Sequence, residues 1–409
     1  MQTKLSESVR DTALGKEADE ILRKCVHCGF CTATCPTYQI LGDELDSPRG
    51  RIYLIKEMLE GKAVTKTTQT HLDRCLTCRN CETTCPSGVE YGKLIDIGRQ
   101  MVDQQIERPR AETLKRQALR VTMNAAWFAP AYRLGQMVRE WLPATLQKKV
   151  VARQTPGQRP VSTTHHARQV LMLNGCVQPG MMPNIDVATM RVLDKVGIGT
   201  QVASESGCCG ALNFHLDAQE QARSQMRANI DAWWPLINSG AVEAIVMNAS
   251  GCGAMVKEYG HHLRLDPIYA DKAKVVSEHV KDIAELLAPM AQDLRAKLNT
   301  DRLPGRVVFH PPCTLQHWQG LRPVSETLLN ALGLDPQPFE ETHLCCGSAG
   351  AYSVLQPEIS TALRDRKLGH LDQAKPEVIV SSNIGCIGHL QSGTQTPVKH
   401  WIEVVDQAL

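Results

Sequence analysis

The sequence has 409 residues, which is enough for two or three domains with a sizeable core. Its formal net charge is only +2, its basic residues are dispersed and aromatic residues make up 4%, which argues against a nucleic-acid partner. No apolar run reaches the roughly 18 residues that a membrane-spanning helix needs, and we find no basic-then-apolar leader. We therefore expect a cytoplasmic protein whose 16 cysteines are metal ligands in a reducing compartment. A peripheral position on the inner face of the cytoplasmic membrane is left open.

The first 105 residues contain two cysteine runs with identical spacing. Each has the form C-x-x-C-x-x-C-x-x-x-C-P, and together they comprise Cys25, Cys28, Cys31, Cys35 with Pro36, and Cys75, Cys78, Cys81, Cys85 with Pro86. Apolar residues recur at helical spacing before the first run, over 13–24, and between the runs, over 52–60, so both stretches are predicted to be helices. Ser47 before Pro48 is typical of a helix start, and Gly61 of a helix end.

The duplicated run is the ligand pattern of a bacterial two-cluster ferredoxin. A [4Fe–4S] cube has four iron corners; three closely spaced cysteines reach three of them, and the fourth cysteine of each run serves the other cube. This rule assigns Cys25, Cys28, Cys31 and Cys85 to cluster 1, and Cys75, Cys78, Cys81 and Cys35 to cluster 2. Structural zinc is the alternative, but zinc has no use for three evenly spaced cysteines plus a C-P in each run. We predict a helical ferredoxin domain over residues 1–105 that carries electrons one at a time.

The sequence also predicts roles for residues beside the cysteines. Because proline lacks an N–H group, Pro36 and Pro86 are predicted to stop a short helix after each fourth cysteine. Because glycine lacks a Cβ atom, Gly29 and Gly88 are predicted to let the backbone approach a cluster closely. Charged side chains are mostly solvated, so a solvated turn is predicted for the pair Arg49 and Arg51. The alternative is that this pair lies beside a negatively charged cluster.

Residues 106–168 are predicted to form a helical connector. Large apolar side chains are concentrated in one short part of it: Trp127, Phe128, Tyr132, Leu134, Met137, Trp141 and Leu142. Packing on the protein's own surface is the simplest interpretation. Contact with a partner subunit or with a membrane interface stays open, although the segment lacks the strongly basic polar face of an interfacial helix. Residues 154–160, with two prolines and a glycine, are predicted to be a loop.

From residue 168 onward the chain repeats itself, and the two copies are predicted to be lobes over 169–290 and 303–409. In each copy a strand leads to a cysteine, a Cys-Cys-Gly triplet follows 32 residues later, and a second strand leads to Gly-Cys. The strand and cysteine at 170–176 match 307–313, and His279 is aligned with His400. Short β-branched strands alternate with helical stretches at 218–237 and 358–371. We therefore predict two related α/β lobes with parallel sheets.

Each lobe has four cysteines, all at predicted strand-to-loop junctions: Cys176, Cys208, Cys209 and Cys252 in the first lobe, and Cys313, Cys345, Cys346 and Cys386 in the second. Loops at the carboxyl ends of parallel strands are where such folds bind ligands. Thiolates select iron–sulfur clusters or zinc, so an additional iron–sulfur cluster in the lobes is predicted. The alternative is that one or both lobes have lost metal and keep buried, inert cysteines.

These residues resemble a known family. The stretches CVHCGFCTATCPTY from Cys25 and CLTCRNCETTCPSG from Cys75 are similar to the iron–sulfur subunits of bacterial glycolate oxidase. The lobes, with SGCCG at 206–210 and HLCCGSAG at 343–350, resemble the duplicated cysteine-rich CCG domains of that family. Such domains also occur in heterodisulfide reductases, in anaerobic glycerol-3-phosphate dehydrogenases and in lactate-utilisation proteins. The resemblance covers nearly the whole chain and is weakest in the connector.

The lobes depart from the family's CCG motif at one position each. The full motif ends in C-x-x-C and has five cysteines, whereas Met255 follows Cys252 and His389 follows Cys386 at that spacing. The departure puts heterodisulfide chemistry in doubt. His389 is a candidate iron ligand, and a hydrogen-bonded loop histidine is the alternative.

The resemblance implies a relay function. A partner subunit carrying FAD would take two electrons from glycolate, forming glyoxylate, and this chain would pass them singly to a quinone or other acceptor at a membrane. The sequence has no Gly-x-Gly-x-x-Gly run and no carboxylate or histidine pair suited to acid–base work on a substrate. It is therefore predicted to be one subunit of an oxidoreductase, with no catalytic residue of its own. A relay for lactate or glycerol 3-phosphate, and disulfide reduction at the lobes, stay as alternatives.

Overall fold

A computed structural model describes residues 1–147, 150–160, 166–173 and 175–409 of the chain, so that parts of the predicted connector, and Asn174 in the first repeat, lie outside the described residues. The N-terminal part is helical. Its helices are α1 (Glu7–Arg10), α2 (Ala13–Lys24), α3 (Phe30–Ala33), α4 (Pro36–Leu41), α5 (Pro48–Leu59), α6 (Lys66–Asp73), α7 (Asn80–Thr84), α8 (Tyr91–Gln105) and α9 (Arg110–Asn124).

Strands and helices alternate in the rest of the chain. In chain order they are α10 (Phe128–Met137), α11 (Ala144–Gln147), β1 (Arg168–Met172), α12 (Gln178–Met181), α13 (Pro183–Lys195), β2 (Ile198–Val202), α14 (Ala211–His215), α15 (Gln219–Asn238), β3 (Ala244–Met247), α16 (Ser250–Lys257), α17 (Tyr259–His262), α18 (Ala270–His279), β4 (Val280–Asp282), α19 (Ile283–Leu287), α20 (Ala291–Arg295), β5 (Val307–Phe309), α21 (Arg322–Ala331), α22 (Tyr352–Leu355), α23 (Pro357–Gln373), β6 (Val378–Ser381), α24 (Ile384–Gln391), β7 (Val398–His400) and α25 (Trp401–Gln407). Residues 151–160 have no regular secondary structure, as predicted for 154–160.

The described residues form two compact units. The first comprises Met1–Arg116 and Glu341–Lys367, and the second comprises Gln117–Glu340 and Leu368–Leu409. A segment of the predicted second lobe thus belongs to the first unit. The predicted domain boundaries stay predictions.

The core of the first unit is formed mainly by α2, α5 and α8. Apolar side chains from one face of each helix are buried together, and Cys25 and Cys75 border the same core. Helix α2 has the predicted bounds, and the hydroxyl of Thr12 caps it by accepting from the N–H of Gly15. The predicted start of α5 is also confirmed, because Ser47 caps it in the same way.

The role predicted for the two prolines is wrong. Helix α3 ends at Ala33, before the fourth cysteine, and Pro36 is the first residue of α4. Proline suits that position because the N–H it lacks would have no helical partner there. Helix α7 ends at Thr84, and Pro86 lies in the turn that follows.

The second unit contains two parallel sheets, which confirms the predicted α/β architecture. The first sheet has the order β2-β1-β3-β4, with Val170 opposite Ala244 and Ile245 opposite Val280. The second has the order β5-β6-β7. Buried β-branched residues fill the central strands, as expected for sheets covered by helices. Cys176 follows β1, Cys208 and Cys209 follow β2, and Cys313 follows β5. Cys252 and Cys386 lie on the helices after β3 and β6, and within the described residues 310–344 no strand leads to Cys345 and Cys346, so the predicted strand-to-loop position is wrong for these two.

The alignment of His279 with His400 is wrong by three residues. Sheet register places Asp282 beside Met247 and His400 beside Ser381, so that Asp282 and His400 are the corresponding residues. Each caps the next helix in a capping box: Asp282 Oδ1 accepts from an N–H of α19, and His400 Nδ1 accepts from an N–H of α25. A carboxylate and an imidazole nitrogen can fill the same capping role, so residue identity misled the alignment.

Candidate metal centres

The first thiol set, which comprises Cys25, Cys28, Cys31 and Cys85, lines a single cavity in the first unit. Cys25 is buried, Cys28 is exposed and the other two are half-buried. Burial raises the pKa of the Cys25 thiol, with smaller contributions from Cys85 and Cys28. Burial, then the neighbouring Cys25 and Cys28, raises the pKa of Cys31 to about 11. Cys85 thus lies with three cysteines of the other run; Cys81 also borders this cavity.

The second thiol set, which comprises Cys35, Cys75, Cys78 and Cys81, lines a second cavity in the same unit. Burial raises the pKa of Cys81 well above its ordinary value, and Cys78, Cys75 and Cys35 add to the rise. Cys35 therefore lies with three cysteines of the other run. Cys35, Cys75 and Cys81 are buried and Cys78 is half-buried, so this set is more enclosed than the first.

The two cysteine loops share an unusual backbone. Positive φ angles occur at matching positions, at His27 (55°) and Gly29 (87°) in the first loop and at Thr77 (54°) and Arg79 (57°) in the second. Such turns present successive N–H groups to an anion. The N–H of Thr77 donates to Cys75 Sγ at 3.4 Å, and the N–H of His27 makes the matching contact with Cys25. Gly29 and Gly88 (61°) both have positive φ angles, which glycine adopts at no steric cost, and close approach of their backbone to a cluster stays a prediction.

The donor sets fit iron–sulfur clusters. Burial removes water from each thiolate and neighbouring thiolates repel one another, so both effects raise the thiol pKa values. Thiols ligate metals as thiolates, and a metal supplies the positive charge that favours deprotonation. An all-sulfur set of four suits a [4Fe–4S] cluster or zinc, and the N–H groups directed at sulfur suit an anionic cluster.

A buried charge network borders the second set. Asp46, which is fully buried, contacts Arg51 at 3.3 Å, His71 at 3.0 Å and Arg74 at 2.9 Å. Arg51 is only 1% exposed and lines the second cavity, so the solvated turn predicted for it is wrong. Arg49 is 37% exposed at its side chain and pairs with Glu44, so it is partly solvated as predicted, but it lies on α5 rather than in a turn and lines the first cavity.

Four thiols also converge in the first lobe, within the second unit. Cys176 follows β1, Cys208 and Cys209 precede α14, and Cys252 lies on α16 after β3. Hydrogen bonds link Cys176 to Cys208, Cys208 to Cys209, and Cys209 to Cys252. Two thiols donate to Cys208, which lowers its pKa, while the same bonds and burial raise the pKa of Cys176 and Cys209.

Two residues that the sequence did not single out support the Cys-Cys pair. The side chain of Asn229 donates to the carbonyl of Cys208 at 2.9 Å and accepts from the N–H of Gly207 at 2.8 Å. The hydroxyl of Tyr259 donates to the carbonyl of Cys209 at 2.8 Å. Asn229 lies on a predicted helix, where a buried amide gives no local signal of its partner.

At the position of the missing fifth cysteine, Met255 is buried in the apolar core that also contains Cys209. It fills space there and is no metal-binding thiolate. His389 is half-buried on α24, and its role as a ligand stays a prediction.

The cysteines of the second lobe are divided between the units. Cys345 and Cys346 lie in the first unit, and Cys313 and Cys386 lie in the second; all four are buried. One local feature repeats that of the first lobe. The N–H of Gly347 donates to Cys345 Sγ at 3.4 Å, as that of Gly210 does to Cys208 Sγ at 3.5 Å, and both glycines have positive φ angles.

The aromatic part of the connector has two faces. Tyr132 and Gln136 of α10 face the protein: the hydroxyl of Tyr132 accepts from the N–H of Val151, and Gln136 donates to the carbonyl of Met181. The other face exposes apolar side chains at helical spacing, namely Trp127, Leu134, Met137 and Trp141, the last of them 85% exposed. Packing on the protein's own surface is thus confirmed for Tyr132, and contact of the exposed face with a partner subunit or a membrane interface stays a prediction. Among the described residues no helix combines the length and apolar character that crossing a membrane requires.

Comparison with known proteins agrees with the two kinds of thiol site. Residues 21–89 match the family model of a 4Fe-4S dicluster domain, and residues 170–257 and 307–391 each match that of a cysteine-rich domain. The chain is 53% identical over 410 residues to the glycolate oxidase iron-sulfur subunit of Escherichia coli (strain K12), covering 100% of this chain and 99% of that protein.

More distant relatives extend the same pattern. A probable glycolate oxidase iron-sulfur subunit of Bacillus subtilis (strain 168) is 28% identical over 407 residues, covering 91% of this chain and 89% of that protein. Lactate utilization protein A of Geobacillus thermodenitrificans (strain NG80-2) is 28% identical over 233 residues, covering 54% of this chain and 92% of that protein. With more than half of its residues shared with the first of these relatives over the full length, the chain belongs to the family of glycolate oxidase iron–sulfur subunits.

Proposed function

We propose that this chain is the electron-transfer subunit of a complex that oxidises glycolate to glyoxylate. Removing two hydrogens from glycolate yields two electrons and two protons, which a partner subunit carrying FAD would accept. The chain relays the electrons one at a time to a quinone or another acceptor. It contributes no catalytic residue to glycolate itself.

The observation that carries the proposal is that each thiol set combines cysteines of both runs, which we call the crossing of the two sets. Three thiols of the first run line the first cavity together with Cys85, and Cys81 also borders it, while three thiols of the second run line the second cavity together with Cys35. Thiols of both runs at each cavity are what a two-cluster ferredoxin requires. Each set would hold one [4Fe–4S] cluster, which supplies one-electron chemistry when it is bound. Because Cys81 borders both cavities, the two sets lie close together, as a relay requires.

The choice of glycolate as the substrate rests on the family to which the chain belongs. The E. coli protein that is similar over the full length is named for glycolate oxidase, whereas the lactate utilization proteins match about half of the chain. Glycolate is therefore preferred over lactate. Disulfide reduction at the lobes is disfavoured because Met255, where the motif has its fifth cysteine, is buried in the apolar core.

The test uses the full chain, purified anaerobically with its partner subunits, and follows visible absorbance after glycolate is added. Flavin reduction followed by bleaching of the cluster absorbance is expected. The chain alone should show no bleaching, and lactate and glycerol 3-phosphate serve as substrate controls. Flavin reduction with the clusters left oxidised in an intact complex contradicts the relay. Bleaching by lactate and none by glycolate retains the relay and changes the substrate.

A second proposal concerns the first lobe, where Cys176, Cys208, Cys209 and Cys252 would hold a further metal centre. The chain of hydrogen bonds through all four thiols supports it. In that case the full chain carries more metal than the two ferredoxin-type clusters account for, and Cys209→Ser lowers its metal content while the signals of those clusters stay unchanged. Unchanged metal in a folded Cys209→Ser protein would show that these thiols are empty.

The exposed face of Trp127, Leu134, Met137 and Trp141 is proposed as a contact of the complex. Large apolar side chains at such exposure are typical of interfaces, where tryptophan supplies much of the binding energy. We expect Trp141→Ser to weaken assembly with the partner subunits while the chain keeps its iron. Complete assembly of this variant at the wild-type affinity would remove Trp141 from the interface.

A further inference from the structure

The two thiol sets have different electrostatic surroundings. The second cavity is lined by two buried arginines, Arg51 and Arg79. The first is lined by Arg49, which is partly exposed and is neutralised by the carboxylate of Glu44 at 2.7 Å. His27 also lines the first cavity.

Arg51 is held in place from three directions. Its Nε donates to the carbonyl of His71 at 2.7 Å, one Nη donates to the hydroxyl of Thr37 at 3.1 Å, and the other contacts Asp46 at 3.3 Å. Asp46 also binds Arg74, so the one buried carboxylate is shared between two guanidinium groups. The network keeps an excess positive charge, which guanidinium groups do not lose at any physiological pH.

This network is connected to ligand sulfurs of the second set. The hydroxyl of Thr37, which accepts from Arg51, lies 3.3 Å from Cys35 Sγ. On the other side, the hydroxyl of Tyr91 donates to Cys75 Sγ at 3.6 Å. Arg51 interacts electrostatically with both Cys35 and Cys75.

Charge and hydrogen bonding at sulfur set the reduction potential of an iron–sulfur cluster, as does exposure to solvent. A reduced cluster carries one more negative charge than an oxidised one, and a fixed cation in a water-poor site stabilises that charge most strongly because the effective dielectric constant is low. The first set has an exposed ligand, Cys28, and a neutralised arginine. Burial alone would disfavour the more negative, reduced cluster at the second set, and the fixed cation and the Tyr91 hydroxyl act in the opposite direction.

We propose that Arg51, held in the lining of the second cavity by Asp46 and Thr37, raises the potential of the cluster at the second thiol set above that of the cluster at the first. Arg51 is a positioning and charge residue for the cluster and touches no substrate. The inference rests on the proposed function, because it requires that both sets hold clusters. An electron that reaches the pair then resides at the enclosed second set, and the first set, with its exposed Cys28, is the lower-potential member.

The test is a redox titration of the full-length chain followed by electron paramagnetic resonance. Cys28→Ser and Cys78→Ser assign the two signals, since each alters one set. In the wild-type chain the second-set signal is expected to appear at the higher potential. Equal potentials, or a higher potential at the first set, overturn the proposal. Absence of iron–sulfur signals contradicts the proposed function instead, so the two failures are distinguishable.

Substitutions distinguish the effect of the Arg51 charge on the second-set potential from the effect of neighbouring residues. Arg51→Met is expected to shift the second-set equilibrium at least tenfold toward the oxidised form, which is about 59 mV for a one-electron couple, and to leave the first set unchanged. Arg51→Lys, which keeps the charge, should retain most of the potential. Arg49→Met is the matched control and should leave the second set unchanged.

Because Arg51→Met leaves Asp46 with one partner fewer, the variant could fail to fold. Tyr91→Phe avoids this problem, since it removes only the hydroxyl that donates to Cys75 Sγ. It is expected to lower the second-set potential by a smaller amount. A folded Arg51→Met chain or a Tyr91→Phe chain with two wild-type potentials would overturn the role of this network.

Discussion

The two cysteine runs have the same spacing and positive φ angles at matching positions, yet the residues that surround them differ. In the first loop Val26 is 67% exposed and Phe30 is 61% exposed, whereas the corresponding Leu76 and Asn80 of the second loop are buried. Spacing thus determines the local backbone, and burial depends on what packs against each loop. The comparison teaches that one motif can serve as an accessible site and as an enclosed one in the same unit.

Several contacts that enclose the second loop come from residues outside the loop. Arg99 on α8 donates to the carbonyls of Leu72 and Cys75 and to the hydroxyl of Thr77. Tyr352, from the distant segment that belongs to the first unit, donates to the carbonyl of Arg74 at 2.9 Å. The second loop is therefore fixed by these long-range contacts, while Val26 and Phe30 of the first loop stay exposed.

The largest expected effect tests the crossing of the two sets. Cys85→Ser should abolish the cluster of the first set although Cys85 belongs to the second run, and Cys35→Ser should abolish the cluster of the second set. Each variant is expected to retain about half of the roughly eight irons of two four-iron cubes, measured by iron analysis with electron paramagnetic resonance. If Cys85→Ser removed the signal that Cys78→Ser also removes, the crossed assignment would be wrong.

The next effect compares the two arginines. Arg51→Leu leaves the buried Asp46 less well compensated, so we expect the free energy of unfolding to fall by about 3 kcal/mol, as for other broken buried ion pairs. Arg49→Leu removes only a partly exposed pair with Glu44, and about 1 kcal/mol or less is expected. Urea denaturation of the full-length variants under anaerobic conditions measures both. Equal losses would show that burial does not distinguish the two sites.

The same comparison shows what the sequence could and could not predict. The pattern of Leu14, Ala18, Ile21 and Leu22 was sufficient to predict α2, because helical periodicity is a local property. Burial of Arg51 was not predictable, because its partners Asp46 and His71 come together only in the folded unit. The cysteines of both runs could be grouped from their spacing, whereas the support of Cys208 by Asn229 gave no signal in the sequence.

The two lobes differ at corresponding helix caps, because Asp282 in the first lobe is an acid and His400 in the second is a base. Burial raises the pKa of Asp282 to about 7, with a smaller contribution from Glu285, which is itself paired with Lys257. Burial lowers the pKa of His400 to about 3. The folded state therefore holds the Asp282 proton more tightly than the unfolded state does, and the His400 proton less tightly.

These shifts predict opposite pH dependences. The contribution of Asp282 to stability falls as pH rises from about 4 to about 7, and that of His400 falls as pH drops from about 6.5 to about 3, by about 1.4 kcal/mol for each unit of pKa shift. Asp282→Asn keeps the capping oxygen, so its stability relative to wild type should increase from pH 4 to pH 8. His400→Asn should show the reverse trend between pH 7 and pH 4. Parallel pH profiles for the two variants would contradict the assigned pKa directions.

The smallest effect tests why glycine stands at position 29. If close approach to a cluster requires it, Gly29→Ala should lose the first cluster. If its φ angle of 87° requires it, the variant should keep its iron and lose about 1 kcal/mol of stability. The structure favours the second outcome, because Arg79 occupies the corresponding position of the second loop at 57°.

Gly42→Ala is the matched control for that substitution. Gly42 has a similar φ angle of 69°, and a Cβ atom there meets nothing within 4 Å, so its variant isolates the backbone cost. A Cβ at position 29 would meet the terminal Nη of Arg49 at 2.8 Å, which a flexible side chain can relieve by moving. We therefore expect nearly equal losses in the free energy of unfolding for the two variants. A much larger loss for Gly29→Ala, or loss of the first-set signal, would show that the open loop tolerates less change than its exposure implies.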